Sequence, residues 1–118
     1  MAIIQRKIGA VFIPVSDIEQ AREWYCKVLE VKVDQEIIGG HLCCIPLEND
    51  GLNLVLDSKI SKQASLGTWP IFHFNTTDIN KAHRSLKERG VTFITNIQHG
   101  HYFNIKDPDG NMIMICKC

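Results

Sequence analysis

The side chains able to do chemistry in this chain are five histidines, five cysteines and two methionines spaced two apart near its C-terminal end. His73 lies in the alternating run PIFHFNT, on the same side as Asn75 and opposite Phe72 and Phe74. A neutral imidazole there can orient a polar ligand group or serve as a general base, although interior histidines are more often simply hydrogen-bonded. His41 follows Gly39-Gly40 and is placed at the mouth of any cleft, His99 and His101 flank Gly100 in a turn, and His83 reads as a surface position on a helix. Met112 and Met114, in the run MIMIC, offer flexible thioethers that suit an apolar or aromatic guest, or fill a core, better than they suit a cation. Cys26, Cys43, Cys44, Cys116 and Cys118 are odd in number and lack CxxC spacing, so they are expected as reduced, small apolar residues. His41 with Cys43, and Cys116 with Cys118, lie two apart and share strand faces, which leaves an adventitious soft-metal site open. No Ser-His-Asp order, P-loop or dinucleotide fingerprint is present.

The elements that position these groups follow from periodicity. KIGAVFIPV reads as a strand and SDIEQAREWYCKVLE as a helix burying Ile18, Ala21, Trp24, Tyr25 and Val28, with Ser16 and Glu19 spaced as a capping box. Three extended runs follow, VKVDQEI, HLCCIPL and LNLVLDS, divided by Gly39-Gly40 and by Glu48-Asn49-Asp50-Gly51. The second half repeats the order: PIFHFNT, a helix DINKAHRSLKER capped by Thr77 and closed by Gly90, then VTFITNI, HYFNIK and NMIMICK. Asp17-Ile18 and Ala21 recur as Asp78-Ile79 and Ala82, and Asp50-Gly51 recurs as Asp109-Gly110, so one supersecondary unit occurs twice. The expected organisation is a single α+β domain over 1–118, with module one at 7–57, a connecting loop at 58–69 and module two at 70–118.

Alternation also assigns faces. Val11, Ile13 and Val15 in the first strand, and Phe72, Phe74 and Thr76 in its counterpart, should pack on the helices. Ala10, Phe12 and Pro14, with Ile71, His73 and Asn75, then face the other way. The chain has 118 residues, 45% hydrophobic and 22% charged, with 13 basic and 13 acidic side chains; no charge block points to nucleic acid or to an anionic membrane. No run approaches the roughly 20 apolar residues a bilayer span needs, and a cytoplasmic location is expected.

PVSDIEQAREWYCKVLEV, together with DPDGN before the last strand and the duplicated βαβββ order, resembles the vicinal oxygen chelate superfamily, also called the glyoxalase, bleomycin resistance and dioxygenase superfamily. The resemblance covers nearly the whole chain. It implies two modules whose sheets curve around a cleft with the helices outside, and a homodimer that completes the cleft. It also implies a divalent metal on four residues, one from the first and one from the last strand of each module. Those positions here are Ala10, Val55, Ile71 and Met114, or, one pleat along, Phe12, Asn53, His73 and Met112. Only His73 is a good ligand, so neither metal nor cofactor is expected. The leading expectation is a protein that binds a small apolar or aromatic molecule through Phe12, Asn53, Trp69, His73, Asn75, His101, Phe103, Met112 and Met114. The alternative is a lyase, isomerase or dioxygenase that depends on a metal or uses His73 as its base.

Overall fold

The computed structural model describes residues 3–59 and 69–118, so most of the expected connecting loop lies outside the described residues. Module one runs β1 (Ala10–Pro14), α1 (Ile18–Leu29), β2 (Ile37–Ile38), β3 (Leu42–Pro46) and β4 (Asn53–Asp57). Module two runs β5 (His73–Asn75), α2 (Ile79–Glu88), β6 (Thr92–Phe93), β7 (Tyr102–Lys106) and β8 (Met112–Cys116). Each module forms one mixed four-stranded sheet of the same order, β1-β4-β3-β2 and β5-β8-β7-β6. In each, the first strand pairs in parallel with the last, and the remaining pairs are antiparallel. This is the tandem α+β architecture that the duplicated sequence pattern implies.

The alternation settles which face is which. Ile13, Leu54, Leu56, Cys43 and Ile45 are buried beneath α1, and Phe103, Ile105, Ile113 and Ile115 lie on the helix side of module two. The intervening residues of every strand occupy the opposite face. Helix α1 buries Ile18, Ala21, Tyr25 and Cys26, and α2 buries Ile79 and Leu86.

Three local features differ from the sequence reading. The helices are capped by Asp17, which accepts from Gln20 N at 3.0 Å, and by Asp78, which accepts from Lys81 N at 3.0 Å, not by Ser16 and Thr77. Ser16 is engaged elsewhere: its backbone N–H and its hydroxyl both donate to Asp109. VKVDQEI gives only the two-residue β2, because Gln35 folds locally, donating to Lys32 O at 3.0 Å, while its own carbonyl accepts Arg22 Nη1 at 2.7 Å. VTFITNI gives only β6, since Ile94 N and Thr95 N both donate to Asn104 O, a bulge that ends regular pairing.

The buried apolar residues of both modules form one cluster, while the polar links between the modules rest on few groups. The turn DPDGN supplies most of them. Asp107, 3% exposed, accepts from Asp109 N (2.9 Å), Asn111 N (2.9 Å), Asn111 Nδ2 (2.8 Å) and, across the modules, Tyr25 Oη–H (2.7 Å). Asn111 Nδ2 also donates to Pro14 O at 3.0 Å. Arg89, at the end of α2, donates to Lys27 O at 2.9 Å and pairs with Glu30 at 2.6 Å. A turn that sequence alone reads as a simple chain reversal is therefore the clasp between the modules.

Candidate functional site

Strand register builds the non-helix faces row by row. In module one, Phe12 lies beside Val55 and Val55 beside Cys44; the equivalent row of module two is His73, Met114 and Asn104. The next row is Pro14, Asp57 and Leu42 in module one, and Asn75, Cys116 and Tyr102 in module two. The third is Ala10, Asn53 and Pro46, facing Met112 and Lys106 with Ile71 hydrogen-bonded through its backbone to Met112 O.

Of the nine ligand-contact candidates, Phe12, Asn53, His73, Asn75, Met112 and Met114 lie in these rows, and Trp69 and His101 lie outside the strands. Phe12 is 61% exposed and Trp69 67% exposed, His73 and Asn75 are exposed, and Asn53 and Met114 are half-buried, while Met112 is 7% exposed. His101 is exposed in the turn before β7 and gives its carbonyl to Lys117 N at 2.8 Å. Phe103 is not with them. It is fully buried on the helix side, edge-on to His83 (5.1 Å between centroids) and Phe93 (5.5 Å). His83 itself is stacked on Phe93 at 4.4 Å, half-buried rather than a surface residue.

The ligand-contact candidates leave out Tyr102, Asn104 and Asp57 on these faces. Tyr102 and Asn104 alternate with Phe103, so the alternation that buries Phe103 turns them outward. Asn104 Oδ1 is buried without a hydrogen-bond partner among the described residues, beside Met114. In module one, His41 Nδ1 lies 3.0 Å from Asp57 Oδ1. That imidazole, and then the Lys59 backbone N–H, hold the Asp57 carboxyl below the usual aspartate range.

Among the described residues are cavities of about 510 and 430 Å³. Both lie between the modules. The larger is walled by Val11, Leu29, Leu47, Phe72 and Phe74, with His73 and Asn75 on its lining; Phe12, Asn53, Met112 and Met114 line neither. His73 and Asn75 thus stand where the intermodule space meets the exposed sheet face.

The donor set across the rows does not fit a hard divalent ion held by one residue from each end strand. The first of the two position sets, Ala10, Val55, Ile71 and Met114, offers only a thioether, and the second, Phe12, Asn53, His73 and Met112, offers one imidazole and one amide. The cysteines are otherwise disposed. Cys26, Cys43 and Cys44 are free thiols, and burial pushes the first two up from the ordinary thiol range, which makes them inert packing groups. Cys116 and Cys118 are joined as a disulfide across one residue, where reduced thiols were expected.

Among the described residues no helix is long and apolar enough to cross a membrane. The sequence model of the Glyoxalase/Bleomycin resistance protein/Dioxygenase superfamily matches residues 7–115. A biphenyl-2,3-diol 1,2-dioxygenase 2 from Rhodococcus globerulus is 28% identical over 116 residues, covering 91% of this chain; the chain spans 60% of that enzyme's length. Two solved structures from Streptomyces sp. CB03234 share the fold. One is TnmS3, an antibiotic binding protein, at 24% identity and a TM-score of 0.69 with 98% of each chain covered. The other is a glyoxalase/bleomycin resistance protein at 25% identity and a TM-score of 0.63, covering 93% of this chain and 99% of that one.

Proposed function

As a chain that belongs to the glyoxalase/bleomycin resistance protein/dioxygenase superfamily, we propose, this protein binds a small apolar or aromatic molecule against its exposed sheet faces, without a metal in the family's position. The observation that carries the reading is the row His73, Met114 and Asn104, with the buried, unpartnered Asn104 Oδ1 beside a thioether. An orphaned buried acceptor costs about 1–3 kcal/mol. A ligand hydroxyl or N–H removes that cost, while the methionines conform to the apolar body attached to it. Binding of this kind sequesters the ligand and needs no Lewis acid. The likeness to a biphenyl-2,3-diol 1,2-dioxygenase agrees with an aromatic ligand class.

A second copy of the chain completes the site in this reading. Phe12, Ile38, Trp69 and Ile71 are exposed apolar side chains, three of them on or next to the edge strands β1 and β5, and burying them in a symmetric contact would wall the ligand.

The test is a fluorescence titration with biphenyl-2,3-diol and a naphthalenediol, in wild type and in Met114→Lys. Saturable binding weakened by the lysine supports the proposal, and wild-type protein that binds neither compound refutes it. The enzyme alternative takes the lead only if turnover is found and is abolished by His73→Ala.

A further inference from the structure

The end of β8 brings two cysteine sulfurs beside the His73 imidazole, at the edge of the ligand site. Cys116 is the last residue of β8, Lys117 turns to the other face, and Cys118 returns to the side of Cys116. Parallel pairing sets His73 beside Met114 and Asn75 beside Cys116, so His73 is one pleat from Cys116 on the same face. The two disulfide-bonded sulfurs and a ring nitrogen of His73 all lie within 4.8 Å of one another. The backbone around them is fixed: Thr76 N donates to Cys116 O at 2.9 Å, and Lys117 N donates to His101 O at 2.8 Å. His73 and Cys118 are exposed and Cys116 is buried, so the cluster opens to solvent on one side.

We propose that His73, Cys116 and Cys118 bind one zinc(II) ion when the Cys116–Cys118 bond is reduced, leaving the fourth position for water or an incoming ligand. Bonds of about 2.0 Å to nitrogen and about 2.3 Å to sulfur place two donors on a tetrahedral zinc about 3.5–3.8 Å apart, so the two sulfurs must move apart once their bond is reduced, while the ring nitrogen already lies within 4.8 Å of both. Two thiolates and an imidazole suit a borderline-soft ion and disfavour magnesium or calcium. All three ligands come from module two, His73 in the row of Met114 and the two cysteines beyond it, so this is not the family's position shared between modules. Pseudo-equivalent Asp57 in module one pairs with His41 instead, so the duplication does not repeat the site.

The redox requirement is explicit. A water-soluble phosphine reduces the disulfide, taking the oxygen of one water molecule to become the phosphine oxide while the water protons go to the two new thiols. Zinc binding then expels both thiol protons to solvent. The oxidised chain has no free sulfur at the site and binds no zinc there.

The experiment uses the full chain, reduced, freed of phosphine under nitrogen and titrated with zinc chloride against a chromophoric chelator, with released protons followed by an indicator dye. The expected result is one zinc per chain with about two protons released, cobalt(II) replacing it with thiolate charge-transfer absorption. Affinity should fall at least tenfold in both His73→Ala and Cys118→Ser, given that even an outer-shell partner is worth about 10–100-fold. Cys44→Ser should bind as wild type. Reduced protein that takes up no zinc, zinc bound equally by the oxidised chain, or His73→Ala with wild-type affinity would each overturn the site. The exposed positions of His73 and Cys118 keep both variants foldable, and a circular dichroism spectrum confirms it.

Discussion

Tyr25→Phe removes one oxygen from the interior and should cost far more than its size suggests. The hydroxyl is fully buried and donates at 2.7 Å to Asp107, a carboxylate whose other donors all belong to its own turn. A hydrogen bond to a charged group contributes about 1.5–3 kcal/mol, because the acceptor left behind stays buried and short of a donor. That corresponds to about a 10- to 150-fold change in the unfolding equilibrium and, for a domain of this size, about 6–12 °C in Tm. The assay is urea unfolding followed by Trp24 fluorescence, since the Trp24 and Tyr25 rings touch edge-on at 4.7 Å. In an Asp107→Ala background the same substitution should cost little, because the partner is already gone. Burial, and then the charge of Asp107, also raise the Tyr25 hydroxyl well above the ordinary tyrosine range. Its contribution is therefore complete below about pH 10 and lost as pH climbs beyond, so wild type should weaken in alkali more steeply than Tyr25→Phe. A Tyr25→Phe cost below about 0.5 kcal/mol, or an equal cost with and without Asp107, would refute the clasp.

Other outcomes follow from the same geometry. The depressed Asp57 carboxyl contributes stability above the ordinary aspartate value of about 3.9 that disappears as pH falls through its lowered one; wild type should exceed Asp57→Asn by about 0.5–1 kcal/mol at pH 6, and the two should converge in urea midpoints once pH falls below that lowered value. Phe12→Glu should shift the protein from dimer to monomer in sedimentation velocity, and a monomeric wild type would dispose of the two-copy site. Asn104→Ala should weaken a phenolic ligand about 2- to 10-fold while leaving its methyl ether unaffected, read by the same fluorescence titration.

Much of this was legible because burial imposes period. Ile13 and Phe12 separate onto opposite faces by alternation alone, and the repeated Asp-Ile and Asp-Gly landmarks give two copies of one sheet order. The same rule, applied fully, also reaches His83: it stands four residues after Ile79 and three before Leu86, on the buried stripe, and reading it as surface came from weighing its polarity over its phase. Other features depend on partners remote in the chain. Ser16 looks like a cap until Asp109 claims it, and Asp107 looks like a turn residue until Tyr25 arrives from the other module. Gln35 ends β2 through a local side-chain bond that no hydrophobic pattern records. The gathering of His73 with Cys116 and Cys118 required knowing that β5 pairs in parallel with β8 and in which register.

The binding proposed for an organic ligand needs no metal assistance. Its most direct measurement is calorimetric titration of biphenyl-2,3-diol into metal-stripped protein, repeated with iron(II) and oxygen while ring-cleavage products are monitored. Saturable binding of equal affinity is expected in both experiments, sensitive to Met114→Lys, with the diol recovered intact. Binding that appears only with iron, or a diol consumed in its presence, would contradict it.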